Sequence, residues 1–281
     1  MDYDPVKDRL GAVAWRSPAR TKAFYRLLDL VFLRAWYVRR RLRRLLGPLA
    51  DRPVRVLDAG TGFGQYAYFL VSEFPNVEVT AVDVKEDYLR RARAFFDRTP
   101  HGGRVRFQQR DLTATPPEDE TGRYDLVLSV DVMEHIEDDR AVFRGFHEVL
   151  RPGGYVVVNT PSDLGGSGVT DATEASFIGE HVRNGYAYGD LREKLETAGL
   201  RVVGHEYTYG PAGSAAWRLL VKWPLTLLNR SWALAPLVAL YYVPALPLGL
   251  GLNAADLRRR NRAGTGHLMV ARKPVAAHSE G

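Results

Sequence analysis

A run of glycines between a strand pattern and a helix pattern carries the first chemical signal. Val54 to Leu70 begins with apolar residues typical of a buried strand, breaks at Asp58-Ala59-Gly60-Thr61-Gly62-Phe63-Gly64, and resumes with apolar residues at helical spacing. Glycines allow a tight turn and bring backbone N–H groups close to a ligand. Because many nucleotide-binding folds use such a turn, it predicts a ligand site without identifying the ligand.

A carboxylate follows at the spacing that nucleotide-binding folds use. Residues 76–84 have the pattern of a second strand that ends near Asp83. This acid lies about 20 residues beyond the turn, where doubly wound folds place a carboxylate on ribose hydroxyls. The turn reads GxGxG after Asp58, and so departs from the GxGxxG pattern of dinucleotide-binding folds.

Five motifs, in sequence order, resemble those of the class I S-adenosylmethionine-dependent methyltransferases. They are Asp58-x-Gly60-x-Gly62-x-Gly64, Asp83, Gln109-Arg110-Asp111-Leu112, Tyr124-Asp125-Leu126-Val127-Leu128-Ser129 and Leu150-Arg151-Pro152-Gly153-Gly154. The resemblance covers roughly residues 52–209 and the last strand. It is similar in particular to the small-molecule methyltransferases of ubiquinone and menaquinone biosynthesis. It implies that S-adenosylmethionine is the cofactor.

The resemblance also implies which residues bind that cofactor. The glycine turn would approach its amino-acid and ribose parts, Asp83 would bind the ribose hydroxyls, and Asp111 would accept the adenine amino group. Ser129 and Val130 would face the methionine part. The predicted set is Asp58, Gly60, Thr61, Gly62, Gly64, Asp83, Val84, Asp111, Leu112, Ser129 and Val130.

Two histidines are the candidate general bases. Asp131-Val132-Met133-Glu134-His135 looks like the segment that follows the fourth strand in the quinone-pathway enzymes, and His135 is the first candidate. His181, in the segment after the fifth strand, is the second, and Arg183 is a candidate partner for a substrate phosphate or carboxylate. Two alternatives stay open for the first segment. Its polar residues cap a helix or shape the cofactor pocket, or Asp131, Glu134 and His135 bind a divalent metal; the predicted site includes no metal.

Strand and helix patterns alternate through most of the chain and predict an α/β fold. The expectation is a Rossmann-like, doubly wound, mostly parallel sheet of seven strands, and the resemblance implies an antiparallel last strand. The predicted division is a basic helical segment 1–50, a cofactor-binding core 51–209, an apolar insertion 210–265, the last strand 266–273 and a tail 274–281.

The basic segment explains much of the net charge of +6. Apolar residues recur at helical spacing from Ala19 to Leu46, and six arginines crowd the second half of this stretch. Three interpretations are open: a solvated arginine face, contact with anionic lipid headgroups, and nucleic-acid binding. The last is disfavoured because no RNA-binding motif accompanies the cluster.

The insertion contains an uncharged stretch, Ser231–Leu252, which is long enough to raise a transmembrane helix. Pro236, Pro244 and Pro247 weigh against a straight span. Cations flank the stretch, and tryptophan and tyrosine residues lie beside and within it, as at a membrane interface. We therefore favour interfacial helices or a re-entrant hairpin over a soluble lid or a true span.

These patterns predict methyl transfer from S-adenosylmethionine to a hydroxyl or carbon of a lipophilic or membrane-held small molecule. The alternatives are a soluble acceptor with the insertion as a lid, and a non-catalytic, membrane-associated cofactor-binding protein. Nucleic acid is disfavoured as the acceptor, because Ser129-Val130-Asp131-Val132 stands where base-amine methyltransferases carry an Asn-Pro-Pro-Tyr-type signature. The chain has no cysteine, and its first residues lack a signal-peptide pattern. We expect a cytoplasmic protein, peripheral on the inner face of the membrane.

Overall fold

The computed structural model describes residues 17–165 and 182–275. Its sheet contains the strands β1 Val54–Ala59, β2 Val77–Asp83, β3 Val105–Gln109, β4 Tyr124–Val130, β5 Leu150–Pro161, β6 Arg201–Thr208 and β7 Gly266–Arg272. Its α-helices are α1 Pro18–Val31, α2 Leu33–Leu46, α3 Gln65–Glu73, α4 Glu86–Phe96, α5 Asp139–Val149, α6 Tyr188–Thr197, α7 Pro211–Trp217, α8 Trp223–Arg230 and α9 Ala235–Arg258.

The seven strands lie in the order β3-β2-β1-β4-β5-β7-β6. Strands β1 to β5 pair in parallel, and β7 runs antiparallel between β5 and β6. The predicted fold class is thus confirmed. The strand order reverses between β1 and β4, and open α/β sheets bind ligands beyond the carboxyl ends of the strands at this switch point.

The sheet is covered on both faces. Val56 and Leu126 pack into one core cluster, whereas their neighbours Leu57 and Val127 pack into the other. This alternation follows from the period of two in a strand. The first cluster includes residues of α2, α3 and α4, and the second includes residues of α5 and α6. The apolar strand patterns therefore reflect burial on two sides.

The basic N-terminal stretch forms two helices instead of one. Phe32 has an extended backbone and separates α1 from α2. Five of its six arginines form ion pairs within the chain. These pairs are Arg34–Asp131, Arg39–Asp29, Arg40–Glu206, Arg41–Glu206 and Arg43–Glu73. Most of the arginine face is thus occupied by internal partners, and in the described ranges Arg44 is the one member of the six without an ion pair.

The insertion ends in a long apolar helix. The stretch Trp232–Arg258 is long and apolar enough to cross a membrane, yet only 17% of its apolar window is buried. Pro244 and Pro247 lie inside α9 without ending it. Its buried residues form one stripe, Val238, Ala245, Gly249, Asn253 and Asp256. The helix therefore packs on the protein along one side and leaves the other side exposed.

Helix α9 packs closely against the helical turn Arg218–Lys222, and Gly249 allows a test of this contact. A Cβ atom at this position would lie 2.4 Å from Cγ of the buried Leu220. We expect Gly249→Ala to lower the free energy of unfolding by about 1–3 kcal/mol, as overpacking does. Urea unfolding followed by circular dichroism measures the change.

The matched control is Gly251→Ala in the same helix. No atom lies within 4 Å of a Cβ built at Gly251. This substitution should be neutral, or stabilising by up to about 1 kcal/mol, because alanine favours helix over glycine. Equal effects of the two substitutions would show that α9 does not pack closely at Gly249.

Candidate cofactor and acceptor site

The glycine turn has the backbone that its sequence predicts. Gly60, Gly62 and Gly64 all have positive φ, at 82°, 53° and 78°. A Cβ at Gly60 would meet Cγ2 of Val132 at 2.3 Å, so this position excludes a larger residue for steric as well as conformational reasons. The turn is fixed to β2 because the N–H groups of Gly60 and Thr61 both donate to the carbonyl of Val82 at 2.9 Å.

Asp83 lies beside this turn and holds it. Its Oδ2 accepts a hydrogen bond from the N–H of Gly62 at 2.8 Å, and its Oδ1 accepts one from the N–H of Lys85 at 2.9 Å. Each carboxylate oxygen keeps a further lone pair for a hydroxyl donor. The free lone pairs of this carboxylate therefore fit the ribose hydroxyls of S-adenosylmethionine, which would donate to them.

Asp58 is a buried part of the same turn. The hydroxyl of Thr61 donates to its Oδ2 at 2.6 Å. Burial, with a smaller contribution from the charge of Asp83, raises the pKa of Asp58 to about 7. These contacts fit the expected role of Asp58 in ordering the turn.

The remaining predicted residues differ in how far they are buried. Val84 and Asp111 are exposed at the ends of β2 and β3, and Asp111 accepts hydrogen bonds from the N–H and hydroxyl of Thr113. Leu112 and Val130 are half-buried, whereas Ser129 is fully buried. The two neighbouring strand ends are joined because the N–H of Arg110 donates to the carbonyl of Asp83 at 3.0 Å.

Helix α1 covers the glycine turn, which the sequence patterns did not predict. The hydroxyl of Tyr25 donates to the carbonyl of Phe63 in the turn. Gln65, the first residue of α3, donates to Oδ1 of Asp29 at 2.8 Å. The spacing of apolar residues in α1 predicted an apolar helix face, but gave no sign of which surface that face covers.

A cavity of about 770 Å³ lies beyond the ends of β4, β5 and β6. Core residues at the strand ends form one part of its wall, and residues of the insertion form another. The wall includes Arg34, Asp131, Asn159, Asp163, Thr208, Tyr209, Trp217, Arg218, Lys222 and Trp223. The cavity is the candidate acceptor site, because Asp131 directly follows the strand that adjoins the glycine-turn strand.

An ion pair joins the N-terminal helices to this cavity. Nη1 of Arg34 lies 2.9 Å from Oδ2 of Asp131, and the N–H of Arg34 donates to the hydroxyl of Tyr209 at 3.2 Å. Asp131 and Tyr209 have φ values of 53° and 52°, which are unusual for residues other than glycine. Such conformations persist where surrounding contacts impose them, and they concentrate at ligand sites.

The candidate bases have different outcomes. His135 is half-buried in a short turn and does not line the cavity, and His181 lies outside the described residues. Glu134 is buried and accepts a hydrogen bond from the hydroxyl of Thr160 at 3.1 Å. Burial and the nearby Asp131 raise its pKa above the ordinary value. His135 is therefore not part of the described cavity wall, and the role of His181 stays a prediction.

Two further hypotheses for this region, a substrate-binding role of Arg183 and the alternative metal set, are contradicted by the contacts of the described residues. Arg183 is not available to a substrate, because its guanidinium pairs with Asp139 and donates to the carbonyl of Ile136. Across residues 17–165 and 182–275, no three potential ligands of the His, Cys, Asp and Glu types meet as a metal site. Asp131, Glu134 and His135 thus do not form the alternative metal set.

The insertion side of the cavity contains a π-helical turn, Arg218–Lys222, between α7 and α8. The N–H of Trp223 donates to the carbonyl of Arg218, which is the wider π-type spacing. Pro224 follows and has no N–H to donate. Two carbonyls left by this arrangement accept from α9, since Tyr241 donates to Leu219 at 2.8 Å and Tyr242 to Leu220 at 2.6 Å.

The role of Asp83 gives a direct test of the cofactor site. Asp83→Ala should weaken the binding of S-adenosylmethionine at least roughly tenfold, because it removes a charged acceptor for the ribose and a support of the turn. Isothermal titration calorimetry measures the affinity. Asp87→Ala is the control, since Asp87 is exposed and pairs with its neighbour Arg90 on α4. Unchanged affinity of Asp83→Ala would contradict the assignment.

Comparison with known proteins agrees with this geometry. The profile of a methyltransferase domain family matches residues 56–154. A ubiquinone biosynthesis O-methyltransferase of Bordetella avium is 31% identical over 42% of this chain and 46% of its own length. A protein assigned as a sarcosine dimethylglycine methyltransferase from Galdieria sulphuraria has a TM-score of 0.57 at 22% identity, covering 82% of this chain and 83% of its own. The cyclase SpnF has a TM-score of 0.56 at 20% identity, covering 83% and 80%.

The first curated relatives are matched over 32%, 46% and 38% of their own lengths, so the chain spans a third to a half of each. The structural neighbours show the shared fold. Together with the glycine turn and Asp83, the matched segment shows that the chain contains a methyltransferase domain of the class I S-adenosylmethionine-dependent family.

Proposed function

We propose that this protein transfers the methyl group of S-adenosylmethionine to a hydroxyl or carbon of a lipophilic small molecule held at a membrane surface. The observation that carries the proposal is the exposed apolar face of α9 on the same insertion that walls the acceptor cavity. The cytoplasmic side of the membrane is the proposed location.

The site residues have separate roles in this reaction. When bound, the cofactor supplies a methyl group activated by its positive sulfur. The protein must hold the acceptor atom about 3–3.5 Å away, in line, and exclude water. Trp217 and Trp223 provide apolar walls for this purpose. Oδ1 of Asn159 is buried without a hydrogen-bond partner in the described chain, and it would accept a hydrogen bond from an acceptor hydroxyl.

The apolar face of α9 supports the membrane part of the proposal. Leu237, Leu240, Val243 and Leu248 have exposed fractions of 54%, 68%, 71% and 59%. Exposed apolar patches of this kind mark interaction surfaces. Arg258 and the two arginines after it are exposed at the end of the helix, where they would meet anionic headgroups.

Contacts along the inner side of α9 favour a helix that lies on the membrane over one that spans it. Tyr241 and Tyr242 are tied to the π-helical turn, and the inner stripe from Val238 to Asp256 is buried by the protein. A helix bound along one side can insert its other side to the depth of the headgroup region.

A second candidate is a soluble acceptor, for which the insertion serves only as a lid. The observation in its favour is that Trp217 and Trp223 line the cavity whatever the acceptor is. A non-methylating role also has a specific basis, since the structural neighbour SpnF is a cyclase. Turnover with separated acceptor pools distinguishes these candidates.

The first test follows the methyl group. The protein is incubated with cofactor carrying a labelled methyl group and with either a total lipid extract or soluble metabolites, and Asp83→Ala serves as the blank. We expect label in the organic phase, which gives a product for mass identification. Label in the aqueous phase alone would favour the soluble acceptor, and no label with either pool would contradict methyl transfer to both.

The second test concerns membrane binding alone. Leu240→Gln combined with Val243→Gln should reduce partition onto vesicles that contain anionic lipid by at least about tenfold, since each buried CH₂ contributes about 0.8 kcal/mol. Vesicle flotation measures the bound fraction. Val203→Gln is the control, because Val203 is an exposed apolar residue on β6. Equal flotation of the two variants would show that α9 is not the membrane contact.

A further inference from the structure

We infer that Arg218 and Lys222 form an anion-binding subsite in the acceptor cavity, and that the acceptor is an amphiphile carrying a phosphate, diphosphate or carboxylate. This inference rests on the proposed function, whose acceptor it makes more specific. Trp217 and Trp223 flank the two cations and would contact the apolar part of the same molecule.

In the part of the chain that the structure describes, Arg218 and Lys222 have no internal partner, unlike most arginines near the core. Neither forms an ion pair or a side-chain hydrogen bond within residues 17–165 and 182–275. By contrast, Arg34 in the same cavity pairs with Asp131 at 2.9 Å. Two unpaired cations on one cavity wall attract an anion, and charge-assisted hydrogen bonds to it are stronger than neutral ones.

The π-helical turn places the two cations together. Arg218 begins this turn and Lys222 ends it, and both line the cavity. In a helical turn, side chains four residues apart lie on one face. The hydroxyls of Tyr241 and Tyr242 fix the turn from behind through the carbonyls of Leu219 and Leu220. The subsite therefore has a rigid support, and π-helical turns occur frequently at functional sites.

Two buried polar atoms on the strand-end wall indicate a polar ligand in the same cavity. Oδ1 of Asn159 and Oγ1 of Thr208 are buried and have no hydrogen-bond partner in the described chain. These side chains are 3% and 0% exposed, and both line the cavity. Unpartnered buried polar atoms are costly unless a ligand or water pairs with them. A ligand with both a hydroxyl and an anionic group could form hydrogen bonds with the strand-end wall through the hydroxyl and with Arg218 and Lys222 through the anion.

The carboxylates of the cavity do not cancel its positive charge. The charge of Asp131 is already balanced by Arg34. Asp163 is then the remaining carboxylate among the described wall residues, and its charge balances one of the two cations Arg218 and Lys222. Among the lining residues that the structure describes, the excess is one positive charge, and it lies on the insertion. An anionic acceptor is thus favoured over a neutral or cationic one.

The test uses three probes that share one alkyl chain and differ in the head group: dodecyl phosphate, dodecanoate and dodecanol. The two anions are used below their critical micelle concentrations, and dodecanol below its solubility limit. Calorimetric titration of the full chain with saturating S-adenosylmethionine measures their affinities. We expect at least one anionic probe to bind about tenfold or more tightly than dodecanol. The stronger of the two anions identifies the head group as phosphate or carboxylate.

The variant is Arg218→Gln combined with Lys222→Gln. It should lose about tenfold in affinity for the preferred anion and keep the affinity of the parent protein for dodecanol and for S-adenosylmethionine. The control is Arg258→Gln combined with Arg259→Gln, which removes two exposed cations at the end of α9. Equal binding of anion and alcohol, or an anion affinity that the variant leaves unchanged, would overturn the subsite.

A bilayer headgroup is the other source of the same anionic chemistry. If the Arg218 and Lys222 variant loses flotation with anionic vesicles but keeps its affinity for the soluble anions, the two cations serve the membrane, and the acceptor subsite is rejected. The titration needs no turnover. A failure to detect methyl transfer would therefore contradict the proposed function, whereas the anion-binding subsite is judged from the titration alone.

Discussion

The arrangement of the two helical additions to the core, the helices before β1 and those between β6 and β7, depends on the buried carboxylate of Asp256. It is fully buried near the end of an otherwise apolar helix. It accepts hydrogen bonds from the hydroxyl of Tyr37 at 2.8 Å, the N–H of Gly213 at 2.9 Å and the amide of Asn261 at 3.1 Å. A buried charge is expensive unless such donors surround it. One side chain therefore fixes α9, α2 and α7 to each other, although Tyr37 and Asp256 are 219 residues apart in the sequence.

This junction determines which side chains reach the acceptor cavity. Helix α2, held by Tyr37, brings Arg34 to Asp131. Helix α7, held by Gly213, leads directly into the π-helical turn that carries Arg218 and Lys222. The sheet supplies the cofactor turn and the strand ends, as in other doubly wound folds. The chain-specific part of the site thus comes from the two helical additions, and both depend on the same buried carboxylate.

The sequence predicted the features that depend on residues close together in the chain, and it did not predict those that depend on contacts between distant residues. The glycine turn and Asp83 lie within about 20 residues of each other, and local backbone geometry decides how they meet. The arginines of α2 find partners as far away as Glu206, so their number alone could not distinguish internal ion pairs from a free cationic face. Tyr241 and Tyr242 matched an interfacial aromatic pattern, yet their hydroxyls bind carbonyls of the π-helical turn. Pro244 and Pro247 predicted an interruption, but packing along the inner side sustains α9 through both.

The exposed apolar face of α9 and the cationic cavity wall belong to one insertion, and this combination fits the amphiphilic acceptor that we propose. Drawing an alkyl chain from a bilayer into water costs about 0.8 kcal/mol per CH₂ group. An enzyme that lies on the bilayer avoids most of this cost, because the tail stays in lipid while the head group enters the cavity. The head group must still exchange its hydration for contacts in the site. Arg218 and Lys222, which form no ion pair within residues 17–165 and 182–275, would offer charge-assisted hydrogen bonds in return. Methyl transfer then needs the acceptor atom held in line with the methyl group, and an acceptor fixed at both its anionic head and its apolar chain meets that requirement with little remaining freedom.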